Sequence, residues 1–251
     1  MSDALVSALL LFGVGTFAGV LNVIAGGGSF LTVPLLIFLG LPATVANGTN
    51  RLAIITQNIG ASFSFHRRGL IPRTWLLVAA PTSVIGALLG TFAAVRIGDV
   101  AFQRVLALSM VAITAWTLWH PAPRAAGGAS DPPAPGRRWM YAAAFFVVGL
   151  YGGFIQAGVG FIVLALTTAG GLDLIRGNAL KVTLLLVFTP LALVVFAASG
   201  KVDWPMAVVL ASGNYVGGLV GVHVQVLKGH AWVRNVVTVT IVLFAVRLLV
   251  G

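Results

Sequence analysis

Long apolar stretches broken by short polar interruptions dominate the chain. They run at Ala4 to Ala25, Phe30 to Leu41, Leu52 to Phe65, Trp75 to Val95 and Val100 to Trp119. A second series follows at Trp139 to Ile155, Phe161 to Leu172, Val182 to Ala198, Trp204 to Val224 and Trp232 to Val250. Between them lies Pro121 to Arg138, rich in Pro, Gly and Ala and carrying Arg124, Asp131, Arg137 and Arg138, which predicts a hydrophilic linker. A hydrocarbon core about 30 Å thick needs roughly 20 apolar residues per helical crossing. Lipid leaves every backbone polar group to be satisfied within its own segment, so helices are predicted throughout. The expected fold is all-α and polytopic, with two tandem repeats of four to five hydrophobic segments, eight to ten in total. The expected divisions are residues 1–120, a linker at 121–138 and residues 139–251.

Composition agrees. Of 251 residues, 59% are apolar and 8% charged, against about 45 to 50% and 25% in soluble domains; the mean hydropathy is +1.05. These values exclude a water-soluble protein and leave no room for a soluble catalytic domain. Met1-Ser2-Asp3 lacks a basic leader, so the first run is expected to be a retained helix. No cysteine is present, which excludes disulfides, thiolate metal sites and thiol nucleophiles. The net charge of +10 comes from basic residues placed singly or in pairs between the runs, where they set topology; nucleic acid is not an expected partner. Trp75, Trp116, Trp119, Trp139, Trp204 and Trp232 fall near run ends and are expected to anchor at the membrane interface.

An ungapped shift of 131 residues pairs Gly27 with Gly158, Phe30 with Phe161, Gly40 with Gly171 and Asn47 with Asn178. It also pairs Gly69 with Gly200, Gly86 with Gly217 and Gly90 with Gly221. Five of the eight glycines from Gly27 to Gly90 meet glycine at this shift, more than shared composition gives, and an internal duplication is inferred. Tandem membrane repeats commonly hold a substrate site at their interface.

The second run of each half is too short for a full span and is flanked by glycine, with Gly26-Gly27-Gly28 before the first and Gly158 before the second. Such segments at corresponding positions point to broken or re-entrant helices around a binding site, unless they are simply short buried helices. If both are re-entrant the halves are parallel; if both cross, the halves are inverted. The basic Arg67, Arg68 and Arg73 loop should be cytoplasmic, whereas its counterpart holds only Lys201 beside Asp203. This asymmetry favours inversion, which also puts Arg176, Lys228 and Arg234 inside.

Asn47, Asn50, Arg51 and Asn58 form one polar stripe on the third segment, with Gln57 adjacent, and Asn178, Lys181 and Thr189 repeat it. A stripe of this kind cannot face lipid. Two cations and several amides beside two Gly-rich breaks would suit an anion, because helix N-termini offer N–H donors and positive dipole ends. Snorkelling of Arg51 and Lys181 with asparagines gluing helices is the competing reading. Asn22 and Gln156, which precede the glycine turns, either line the same cavity or cap broken backbone. The candidate substrate-binding set is Asn22, Gly26, Gly27, Gly28, Asn47, Asn50, Arg51, Gln57, Asn58, Gln156, Gly158, Asn178 and Lys181.

The glycines spaced four apart, Gly86 and Gly90 with Gly213, Gly217 and Gly221, are expected to let helices approach closely. His66, His120 and His230 lie at run ends and read as interfacial; His223 lies near the end of an apolar run. The only acids are Asp3, Asp99, Asp131, Asp173 and Asp203, none clearly inside a span, and there is no glutamate. That disfavours a cation pump and favours an anion. Neither a nucleophile with a base nor a metal cluster is recognisable, so no enzyme activity, cofactor or metal is expected.

Gly19-Val-Leu-Asn-Val-Ile-Ala-Gly-Gly-Gly-Ser-Phe-Leu-Thr-Val-Pro-Leu-Leu, with Gly40-Leu-Pro and Ala46-Asn-Gly-Thr-Asn50, resembles the first-repeat signature of the TauE/SafE membrane transporters. Gly149, Gly152-Gly153, Gly158-Val-Gly-Phe161 and Gly177-Asn-Ala-Leu-Lys181 resemble its second copy in weaker form. Val159 interrupts the glycine run and Ala165 stands opposite Pro34. The resemblance implies a duplicated multi-pass protein of the cytoplasmic (inner) membrane that moves sulfite, organosulfonates or related small anions. The expected partners are a small anionic substrate and the lipid bilayer, and a homo-oligomer is compatible with both. An anion channel and a non-transporting membrane scaffold are the alternative functions.

Overall fold

A computed structural model describes residues 3–24, 26–119 and 135–224. Residues 120–134, which hold most of the linker, and the last apolar run, Trp232 to Val250, lie outside the described residues, as do His120, Asp131, Lys228, His230 and Arg234. The helices are α1 (Asp3–Ile24), α2 (Ser29–Phe38), α3 (Ala43–Arg67), α4 (Arg73–Arg96), α5 (Asp99–Trp119), α6 (Arg138–Phe154), α7 (Val159–Ala169) and α8 (Leu174–Ala198), followed by α9 (Trp204–Val224). A short 3-10 turn, Pro135–Arg137, precedes α6.

Large apolar side chains line the outside, and polar and charged side chains are buried within the apolar core. Phe38 and Leu77 are 79% and 76% exposed, whereas Asn50, Arg51, Asn58 and Lys181 are fully buried. Such a distribution would be costly in water and suits lipid. It also explains why α3 and α8 begin well before the apolar runs at Leu52 and Val182. Their first turns carry Thr44, Asn47, Asn50 and Asn178, which are turned into the bundle. Asp203 and Asp173 cap α9 and α8 by accepting bonds from Met206 N and from Ile175 N and Arg176 N. The Asp99 carboxylate crosses from the start of α5 to accept from Thr44 N and Oγ1 at the start of α3.

With 10 and 11 residues, α2 and α7 are about 15 to 17 Å long at 1.5 Å per residue, half a hydrocarbon core. α2 folds back along α1, with Gly28 against the Ala18 carbonyl and Leu31 packed with Val14, Ala18 and Leu21. α3 and α8 are antiparallel: Gly48 lies against the Lys201 carbonyl, the Arg51 guanidinium sits 5.1 Å from the Phe196 ring centre, and the Ser62 and Thr183 hydroxyls are 3.0 Å apart. Each then ends on a left-handed glycine, Gly69 (φ 66°) or Gly200 (φ 67°). Leu70 N donates back to Phe65 O and Lys201 N to Phe196 O, which closes the last turn and reverses the chain.

α4 and α6, and likewise α9 and α1, pair in parallel. Gly86 and Gly90 of α4 lie against the Phe146 and Leu150 carbonyls of α6, while Gly217 and Gly221 of α9 lie against the Thr16 and Val20 carbonyls of α1. Small residues permit this backbone approach, as expected for these glycines. Trp75 departs from expectation. It is wholly buried, with its indole 5.1 Å from the Tyr141 ring and against Gly170. The packing of α4 on α6 draws it into the core, whereas Trp139 and Trp204 are exposed.

Candidate functional site

Both hairpin tips meet inside the bundle. Gly26 (φ 92°) leaves no room for a side chain against the Gly160 backbone. Gly27 faces the Phe161 ring, Gly158 faces the Phe30 ring, and the two rings stack with centroids 6.3 Å apart. Gly28 is held by packing on Ala18, so its missing Cβ serves the hairpin itself.

Each tip exposes the last carbonyls of a helix, where the macrodipole is negative. Long side chains from the opposite half cover them. Lys181 Nζ donates to Asn22 O and Val23 O at 2.8 Å each and to Asn178 Oδ1 at 2.6 Å; Asn178 Nδ2 donates to Ile24 O at 3.0 Å. On the other tip, Arg51 donates through NH1 to Gly152 O at 2.7 Å and through NH2 to Gly153 O at 2.6 Å, and Asn47 Nδ2 donates to Phe154 O at 2.9 Å. Arg51 NH1 also donates to Gln156 Oε1. Gln156 is the one non-glycine residue with positive φ (67°) among the described residues. That conformation costs on the order of 1 kcal/mol, which the bond from Arg51 offsets.

Neither cation has a carboxylate partner among the described residues, whose one ion pair is Arg176 with Asp173, at 3.7 Å. Two buried positive charges are thus neutralised only by carbonyl dipoles, an incomplete compensation in low dielectric.

The first tip carries a polar lining. Asn50 Nδ2 donates to Ser29 Oγ and Asn50 Oδ1 accepts from Thr32 Oγ1 at 2.7 Å. Asn22 Nδ2 donates to Gln57 Oε1, and Gln57 Nε2 to Asn58 Oδ1. Among the described residues, four buried side-chain atoms have no partner: Asn47 Oδ1, Arg51 Nε, Asn58 Nδ2 and Thr189 Oγ1.

The sequence-predicted residues therefore come together in two groups. Asn22, Gly26, Gly27, Gly28, Asn50, Gln57, Asn58, Asn178 and Lys181 surround the first tip; Asn47, Arg51, Gln156 and Gly158 surround the second. Sequence reasoning omitted Ser29 and Thr32, although their spacing of three residues puts both on one face of α2. It also omitted the Gly152 and Gly153 carbonyls, which no side chain announces. His223 is exposed and lies outside both groups.

A helical membrane protein with two interrupted hairpins meeting beside buried cations that only dipoles compensate has the make-up of a membrane transporter. The family comparison agrees: the chain belongs to the sulfite exporter TauE/SafE family, whose model matches residues 11–248. It is 27% identical over 235 residues to a probable membrane transporter protein of Haemophilus influenzae, covering 92% of this chain and 89% of that one. It is 26% identical over 241 residues to the probable membrane transporter protein ORF9 of Sinorhizobium sp, covering 95% and 91%. A third relative, the probable membrane transporter protein YfcA of Escherichia coli K12, is 27% identical over 254 residues, covering 98% and 91%. No solved structure matches the chain. The chain is accordingly a multi-pass membrane transporter of this family.

Proposed function

We propose that this protein is a secondary transporter of small oxyanions, sulfite, organosulfonates or related sulfur- or carbon-containing anions, bound between its two broken hairpins. The observation that carries this reading is the pair of buried cations without carboxylate partners, Arg51 and Lys181, one at each hairpin tip. An anion would supply the missing negative charge. The unpartnered Arg51 Nε and Asn58 Nδ2 would supply direct donors.

Residues 1–120 and 139–251 are read as inverted copies joined by the linker 121–138. Recurring contacts support this: residues of α4 and α9 shifted by 131, and of α1 and α6 shifted by 130, make the same approaches, Gly86 to Phe146 and Gly217 to Thr16. The cations obey the same rule, since Asn22 and Val23 on one tip correspond to Gly152 and Gly153 on the other. The antiparallel course of α3 and α8 is the sense inversion requires. Alternating access then follows as rocking of one half against the other.

The test is flux of labelled sulfite and organosulfonates into proteoliposomes holding the purified protein. Saturable flux without single-channel currents is expected. Unitary currents would make it an anion channel, and no flux of any anion tested would sink the transport of this substrate class.

A further inference from the structure

Two of the four unpartnered buried atoms, Asn58 Nδ2 and Thr189 Oγ1, lie on the facing helices α3 and α8. Their positions correspond at the shift of 131 residues. The antiparallel register is fixed at one end by Arg51 over Phe196 and at the other by Ser62 beside Thr183. Interpolating between these contacts puts Asn58 level with residues 187 to 189 of α8. Both groups are fully buried, and neither satisfies the other. Asn58 is also oriented: its Oδ1 accepts from Gln57, which is held in turn by Asn22, so its N–H donors are left over.

The cations flank this level. Arg51 lies seven residues before Asn58 on α3 and Lys181 eight before Thr189 on the antiparallel α8, about 10 and 12 Å away in opposite directions at 1.5 Å per residue. All three ammonium hydrogens of Lys181 already have acceptors, so it can attract an anion but bonds one only by releasing a carbonyl or Asn178. Asn58 and Thr189 are uncommitted.

We propose that Asn58 and Thr189 form a neutral subsite at the centre of the α3–α8 seam, where oxygens of a small oxyanion are held by hydrogen bonds midway between two cationic hairpin tips. The proposal rests on the oxyanion reading above and names where the anion dwells. The flanking charges draw the anion in from either side.

Thermal stabilisation of the detergent-purified protein by sulfite, methanesulfonate and sulfate tests this without requiring transport. Wild-type protein should be stabilised by at least one of these anions. Asn58→Leu and the near-isosteric Thr189→Val should each raise the half-stabilising concentration by tenfold or more, with the ligand-free melting temperature of Thr189→Val close to wild type. Wild-type half-saturation in Thr189→Val would overturn the subsite even if Asn58→Leu failed to fold, and so would the absence of stabilisation by all three anions. Proteoliposome flux is scored separately, so flux with an unaltered Thr189→Val profile would keep the transporter reading and discard this site.

Discussion

The two hairpin tips are clamped in the same way but lined differently. In both, an asparagine and a cation from the opposite half cover the final carbonyls of a helix. Around the first tip stand Asn22, Ser29, Thr32, Gln57 and Asn58; the positions corresponding to them in the second half carry Gly152, Gly160, Val163, Phe188 and Thr189. Gly152 packs on the Phe188 ring, whereas Asn22 hydrogen-bonds Gln57. The clamp is what both halves require to bury a helix end. The lining is free to diverge, and its polarity makes the first tip the better place for a polar ligand.

The largest effect should come from Gly28, whose counterpart in the second half is Val159. A Cβ at Gly28 would run into the backbone carbonyl of Ala18, and overpacking against backbone costs 1 to 3 kcal/mol or more. Gly28→Val should therefore lower the melting temperature and yield of purified protein as well as flux. Normal stability with lost flux would instead show that Gly28 is small for the substrate's sake. Gly27→Val, whose Cβ meets the Phe161 and Phe30 rings and no backbone, should fold and lose flux.

Next come the clamps. Arg51→Gln should weaken anion binding by roughly 1.5 to 3 kcal/mol, the range for hydrogen bonds to charged groups, because Arg51 keeps one donor, Nε, unspent. Lys181→Gln should cost less, since Lys181 has none to spare. Titration of purified variants checks the order. Equal losses would mean that both cations act through charge alone, and no loss in either would reduce them to clamps.

A smaller effect is expected along the amide chain. Asn22→Leu removes the donor that orients Gln57 and, through it, Asn58. A neutral hydrogen bond contributes about 0.5 to 1.5 kcal/mol, so anion affinity should fall by roughly 2- to 13-fold. Gly152→Asn, which places the same side chain on the apolar tip, should not raise affinity; if it did, the two linings would be functionally equivalent.

Much of this arrangement was legible in the sequence. The short segments, the glycines at their flanks and the stripe from Asn47 to Asn58 all follow from local spacing. The destination of Arg51 and Lys181 did not, because their acceptors are backbone carbonyls more than 100 residues away and any residue type supplies a carbonyl. Apolar runs alone do not mark where α3 and α8 begin, since inward-facing polar residues break a hydropathy run without breaking a helix. Trp75 was misread for a related reason: nearness to a run end says nothing about the neighbour that α6 brings.

The smallest effect should be that of His223, and it bears on what drives the anion past two tips that hold cations and no acid. The described aspartate side chains are all committed at helix ends: Asp99 to Thr44, Asp173 to the start of α8 and Asp203 to the start of α9. Neither clamp offers a carboxylate through which a proton could accompany the substrate. His223, exposed near the end of α9, belongs to neither tip. An anion moving alone responds to membrane potential at about 2.3 kcal/mol per charge per 100 mV, which favours efflux from an inside-negative cell. Flux in proteoliposomes clamped at several potentials and fixed pH should change steeply with potential, and His223→Asn should follow the wild-type curve within error. Potential-independent flux that disappears in His223→Asn would show instead that a proton travels with the anion, and that the missing carboxylates at the tips do not set the coupling.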